Sequence, residues 1–221
     1  MNESRPGPVH IVGAGPGVGA SVARRFARAG YPVGLVARDP GRLDGLARRL
    51  AADGVEVRTC PADATDPAAL TEALETLARR QGPPAVMCFS PLPDVGLIKP
   101  VLETTPADLD AALALNVVGA AVAASAVLPA MRAAGRGTLL FVTGGAVEKP
   151  TAERAASAVA GFAERAYVDL LARALAGTRI RVAQLVVVGA IGTGAKHEPD
   201  AVADRLWRLH TEPTEAYAVL S

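Results

Sequence analysis

The chain has 221 residues, half of them hydrophobic, with 23 Lys and Arg against 22 Asp and Glu and a formal net charge of +1. That length suits one α/β domain with a full core, and the near balance of charge gives no electrostatic basis for binding nucleic acid or an anionic membrane. With no apolar run read as reaching the ~20 residues that span a bilayer, and no apolar signal segment at the N-terminus, the expected location is the cytoplasm.

Met1 to Pro8 reads as a loose tail. Val9 to Val12 is a β-branched apolar run, Gly13, Gly15, Gly17 and Gly19 turn it, and Ala20 to Phe26 carries helical periodicity. Strand, glycine turn and helix in this order make a nucleotide-binding unit. A side chain at Gly13 or Gly17 would hold a diphosphate away from the helix's first N–H groups, and Gly19 lets the helix pack on the strand. Gly13, Gly15, Pro16, Gly17, Val18 and Gly19 are therefore the first cofactor-binding candidates.

Pro32 to Ala37 predicts a second strand, and Pro40 to Ala52 a helix with Leu43, Leu46, Ala47 and Leu50 on one face. Arg38 and Asp39 fall where such units read the adenosine ribose: an acid accepts from the 2′-hydroxyl of NAD, whereas an arginine pairs with the 2′-phosphate of NADP. Arg38 coming first, with Arg42 behind it, favours NADP(H) over NAD(H). The alternative is a pair of solvated loop charges.

Val55 to Cys60 predicts a third strand, and Pro67 to Arg80 a helix capped by Asp66 with proline at its first position. Asp63, beside Ala64, is placed to accept from an adenine amino group or simply to form a turn. Ala85 to Ser90 predicts the fourth strand, ending at Ser90 and Pro91. A long helix follows over Ala107 to Ala134, with Asn116 near its middle and Pro129 as an expected kink or break. Gly137 to Thr143 is read as a strand, Gly144-Gly145 as a turn and Thr151 to Ala176 as a second long helix. Arg179 to Val188 is the sixth strand, Gly189 to Pro199 a flexible crossover, Pro199 to His210 a short helix and Ala216 to Leu220 a last strand. Strands alternating with helices predict a single domain with a parallel sheet covered on both faces, and ligands beyond the strands' carboxyl ends. Cys60 and Cys88 read as small apolar residues of a reducing compartment, and no metal site is expected.

Along nearly its whole length the chain resembles the short-chain dehydrogenase/reductase family. The resemblance rests on Gly13-x-x-x-Gly17-x-Gly19, Asp63, Asn116 within Leu115-Asn116-Val117-Val118-Gly119, Ile180-Arg181-Val182, and Gly189-x-Ile191-x-Thr193. It implies a doubly wound Rossmann fold of seven strands in the order 3-2-1-4-5-6-7, NAD(P) binding, and contact from Gly189, Ile191 and Thr193 to the nicotinamide or diphosphate. It further implies chemistry by a tyrosine acting as general acid/base, a lysine four residues on that lowers its pKa, a serine on the substrate carbonyl, and an asparagine. A phenol with pKa near ~10 donates poorly at neutral pH without such a neighbour. Here the tyrosine position falls on Ser157, the lysine position on Gly161 and the serine position on Gly144; only Asn116 remains. The Asn-Asn-Ala-Gly-like turn is Phe89-Ser90-Pro91-Leu92, and the chain looks like a divergent branch of the family.

Other groups gather at the carboxyl edge. Lys149 or His197 would protonate a developing oxyanion, and Thr143 or Ser157 would hydrogen-bond it. Against these stand plainer roles: Lys149 with Glu148 as a solvated pair, Ser157 as helix packing, Thr143 as the end of its strand, His197 as exposed loop. Three functions remain open. The first is an NADP(H) oxidoreductase acting on a carbonyl or activated double bond with an atypical proton donor. The others are a redox-neutral cyclase, dehydratase or isomerase of specialised metabolism, and a non-catalytic NADP-binding regulator. The resemblance also implies a homodimer or homotetramer through the helices 107–134 and 151–176, whose small residues allow close approach.

Overall fold

A computed structural model describes residues 6–212 and 216–221. Its sheet has seven parallel strands: β1 (Val9–Val12), β2 (Val33–Ala37), β3 (Val57–Pro61), β4 (Val86–Phe89), β5 (Gly137–Gly144), β6 (Ile180–Val187) and β7 (Tyr217–Leu220), in the order β3-β2-β1-β4-β5-β6-β7. Val9 pairs with Val33 on one side and Val86 on the other, so the strand order reverses direction at β1. An open α/β sheet has its ligand crevice at that reversal, beyond the carboxyl ends.

Covering both faces is what makes β1 and β4 buried throughout and apolar apart from His10. On one face lie α1 (Val18–Ala27), α2 (Pro40–Ala52) and α7 (Pro199–Thr211), burying Phe26, Leu43, Leu50 and Leu206 against Val9, Ile11 and Leu35. On the other lie α3 (Pro67–Gln81), α5 (Ala120–Ala133) and α6 (Ala155–Ala174), burying Leu74, Leu77, Met131 and Val168 against Val12, Val36 and Phe141. Alternate residues of one strand serve opposite cores, as the period of two demands.

Several expectations change. Pro8 is tied to the sheet through its carbonyl, which accepts from Ala85 N at 2.9 Å, so the tail ends earlier; residues 1–5 lie outside the described set. The long helix is α4 (Pro106–Leu113) joined to α5 by a π turn over Ala114–Gly119. Thr105 and Asp108 form a capping box at its start. The irregularity thus falls at Asn116, and the helix continues through Pro129, which has no N–H to give the carbonyl of Ser125, an exposed residue. Pro106–Ala133 is also long and apolar enough by length and composition to cross a membrane, correcting the sequence reading: between Asp110 and Arg132 it carries no charged residue, and Asn116 and Ser125 are its polar side chains there. The crossover after β6 is a compact turn rather than a loose loop. Ile191 bridges His197, Gly192 N donates to His197 O at 3.0 Å and Gly194 N to Glu198 Oε1 at 2.7 Å.

Candidate functional site

The β1–α1 turn is built by close approach. Gly13 has φ +87, and a Cβ on it would stand 2.3 Å from Pro91 Cα and 2.6 Å from the carbonyl carbon of Ser90. Its glycine is therefore demanded by the β4 loop lying against it, not by a diphosphate as the sequence suggested. Gly19 behaves as expected: a Cβ there would meet Ala14 Cα at 2.8 Å. Gly15 and Gly17 face open space, with no atom within 4 Å of their Cβ positions. Asp39, Asp66 and Thr105 cap α2, α3 and α4, but α1 follows Gly17 with no side-chain cap; Ala20 N donates to Gly15 O at 3.0 Å and Ser21 N to Gly17 O at 3.1 Å, which leaves the Val18 and Gly19 N–H groups to face an anion.

A groove of about 780 Å³ opens in front of this turn. It gathers Gly13, Gly15 and Pro16 from the turn, Arg38 and Asp39 past β2, Asp63 and Ala64 past β3, and Pro91 past β4. Asp39 is largely spent: one carboxylate oxygen accepts from Arg42 N at 2.9 Å, and the other pairs with Arg42 Nε at 3.4 Å. Asp63 uses one oxygen to accept from Thr65 N at 2.9 Å and Thr65 Oγ1 at 2.8 Å. The Thr65 backbone bond, with help from the Arg38 charge, holds the Asp63 carboxyl below its usual range. Ser90 Oγ is buried without a partner. Pro91, Leu92 and Leu97 give the groove an apolar wall, and the loop carrying them is pinned by Val101 N to Ala152 O at 2.7 Å and by Lys99 to Asp108 at 2.8 Å.

The remaining candidates do not line this groove. Asn116 sits half-buried in the π turn and Ser157 half-buried on α6, while Lys149 is exposed. Gly144 has open space in front of it, and a Cβ at Gly161 would make ordinary contact with Thr143 Cγ2 at 3.4 Å and Val147 Cβ at 3.5 Å. Gly189, Ile191 and Thr193 lie on the exposed side of the short turn after β6.

Burial bears on two expectations, Thr143 as a hydrogen-bonding group for an oxyanion and His197 as a proton donor. Thr143 donates to Glu164 Oε2 and accepts from Gln184 Nε2, both at 2.7 Å, so its hydroxyl hydrogen is engaged inside the domain. His197 is only 7% exposed, with Nε2 on the Val188 carbonyl at 3.1 Å, because the compact crossover folds it inward.

Nearby, Glu148 accepts from Arg165 Nη1 at 3.2 Å and from the Tyr217 hydroxyl, and the Arg165 guanidinium lies 3.9 Å over the Tyr217 ring. This ties the loop after β5 to β7. Glu164 was missed in the sequence, although a signal was present: Ala156, Ala160, Glu164 and Val168 recur every four residues, which puts a lone carboxylate on the buried face of α6.

Residues 8–202 match the short chain dehydrogenase family. The chain is 30% identical over 193 residues to 1-deoxy-11-beta-hydroxypentalenate dehydrogenase of Streptomyces avermitilis, covering 82% of this chain and 67% of that protein. A short-chain dehydrogenase from Rhodopseudomonas palustris superposes with a TM-score of 0.87 at 26% identity, over 97% of this chain and 98% of that one. A metagenomic short-chain oxidoreductase in complex with NADP gives 0.83 at 26% identity, over 99% and 97%. With the strand order, the glycine turn and this match in agreement, the chain belongs to the short-chain dehydrogenase/reductase family.

Proposed function

We propose that this protein binds NADP(H) in the groove between the β1–α1 turn and α2, and acts as an oxidoreductase on a small carbonyl or activated C=C metabolite without a tyrosine–lysine pair. The observation that carries the reading is the state of Asp39. Its carboxylate caps α2 and pairs with Arg42, so the acid that would accept from an NAD ribose is occupied, while Arg38 and Arg42 both line the groove. The uncapped start of α1, the open Gly15 and Gly17, and the unpartnered Ser90 hydroxyl fit a dinucleotide's diphosphate and ribose. A relative of the same fold is known in complex with NADP.

When bound, the cofactor supplies hydride exchange. This chain's own residues hold and orient it, and the apolar wall of Pro91, Leu92 and Leu97 excludes water from its flank. The proton falls to Asn116, Lys149 or water, with Ser157 as a hydrogen-bonding group. Losing a dedicated acid typically removes ~10²–10⁴ in rate, which favours substrates whose reduced form is a stabilised anion over unactivated ketones. The absence of any side chain at the lysine position, Gly161, also supports a second reading, a redox-neutral enzyme that keeps the cofactor groove.

We propose further that the protein is a cytoplasmic homodimer. Val118 before α5 and Val159, Phe162 and Leu170 on α6 are 45%, 47%, 46% and 66% exposed, apolar faces suited to a second copy. Calorimetric titration with NADPH and NADH, followed by NADPH oxidation against a carbonyl and quinone panel, tests the function. Micromolar NADPH binding with oxidation is expected. Binding without oxidation moves the weight to the redox-neutral reading, and no binding of either cofactor ends both.

A further inference from the structure

We propose that Arg49 is a third phosphate-reading residue of the groove, reaching the cofactor's ribose phosphate across a bare face of α2 at Gly45. The inference rests on the NADP(H) reading above. Helix α2 carries two glycines, Gly41 in its first turn and Gly45 in its interior, one turn apart and both lining the groove. An interior glycine such as Gly45 costs roughly 0.5–1 kcal/mol relative to alanine, so a helix that keeps it there is trading stability for access.

Arg49 is one further turn along and lines the same groove. Helical side chains lean toward the N-terminus, and Arg49 does so: its Nη1 lies 3.7 Å from the place a Cβ on Gly45 would take. The guanidinium therefore rests over Gly45, about a turn nearer Arg38 and Asp39 than its own Cα, and a long side chain at Gly45 would occupy that path. The other two groove arginines already face acids. Arg42 pairs with Asp39 at 3.4 Å, and Arg38 acts on Asp63. Among the described residues Arg49, like Arg38, makes no ion pair, and unlike Arg38 it has no acid whose ionisation it is seen to favour. Its planar fork suits a phosphate, which accepts two parallel N–H bonds.

The test uses 2′,5′-ADP, which carries the ribose phosphate, and 5′-AMP, which lacks it, titrated calorimetrically into the wild-type chain and three variants. Arg49→Ala is expected to weaken 2′,5′-ADP by about tenfold and leave 5′-AMP within about twofold, with Arg49→Lys recovering part of the loss. Gly45→Leu, its folding checked by circular dichroism, is expected to reproduce the Arg49→Ala pattern. Unchanged 2′,5′-ADP affinity in Arg49→Ala, or an equal loss for both nucleotides, overturns the assignment while leaving the cofactor reading intact. A wild-type chain with no preference for 2′,5′-ADP over 5′-AMP removes the cofactor reading and this inference together.

Discussion

The Thr143 hydroxyl and the Glu164 carboxylate meet at 2.7 Å in a part of the domain closed to water, where the second oxygen of Glu164 has no partner at all. Burial pushes the Glu164 pKa up to about 8, the Thr143 hydrogen bond pulling weakly the other way. Its folded pKa is above the unfolded value, so the favourable protonated state holds fully below about 4.5 and is lost as pH climbs toward about 8.

Glu164→Gln should therefore flatten the alkaline side of the stability curve. The stake is on the order of 4 kcal/mol, so the melting temperature of the variant relative to wild type should rise by roughly 8–16 °C between pH 5 and pH 8.5. Parallel curves for the two proteins across that range would show that Glu164 does not titrate in the fold.

His10 works on the acid side. Both ring nitrogens are buried without partners, and desolvation lowers its pKa to about 4 from 6.5. A base whose folded pKa is lowered costs stability as pH falls from about 6.5 to about 4, because the unfolded chain binds the proton first. His10→Leu should remove a loss on the order of 3 kcal/mol over that window. Urea midpoints at pH 7 and pH 4.5 measure it, and an unchanged difference between them counts against the assignment.

Arg38→Ala separates the two cofactors. The variant should lose about tenfold or more in NADPH affinity, as expected for a charge-assisted pair, with NADH changed little. Equal losses for both, read by calorimetry, would place Arg38 outside the ribose site.

Assembly is tested on α6. Replacing Phe162 and Leu170 by glutamate puts charges on the exposed apolar face, and light scattering should then report the 22.5 kDa monomer in place of a dimer. A monomeric wild-type chain at micromolar concentration rejects the dimer directly.

The sheet was legible in the sequence because buried parallel strands are short apolar runs between glycine and proline punctuation, and α2 was read with its observed ends, since Asp39 and Pro40 announce its start. The groove's rim was legible for a related reason: Gly15, Arg38 and Asp63 sit at strand ends, positions that the chain order alone reveals. What escaped depends on side-chain direction. Thr143 and His197 lie at the expected edge yet turn inward, toward Glu164 and the Val188 carbonyl. The π turn at Asn116 escaped as well, because one residue too many in a helix leaves the apolar pattern almost intact while shifting the phase of everything after it. Gly13 was found for the wrong reason, its true neighbour being a loop almost eighty residues away in sequence.

The tie between Glu148 and Tyr217 has a practical edge. Strand β7 is the last in the chain, and through Tyr217 and Arg165 it braces the loop that packs Val147 onto Gly161. A change at Tyr217 would loosen that brace, so a residue of the sheet's edge strand helps set how firmly the loop after β5 is held.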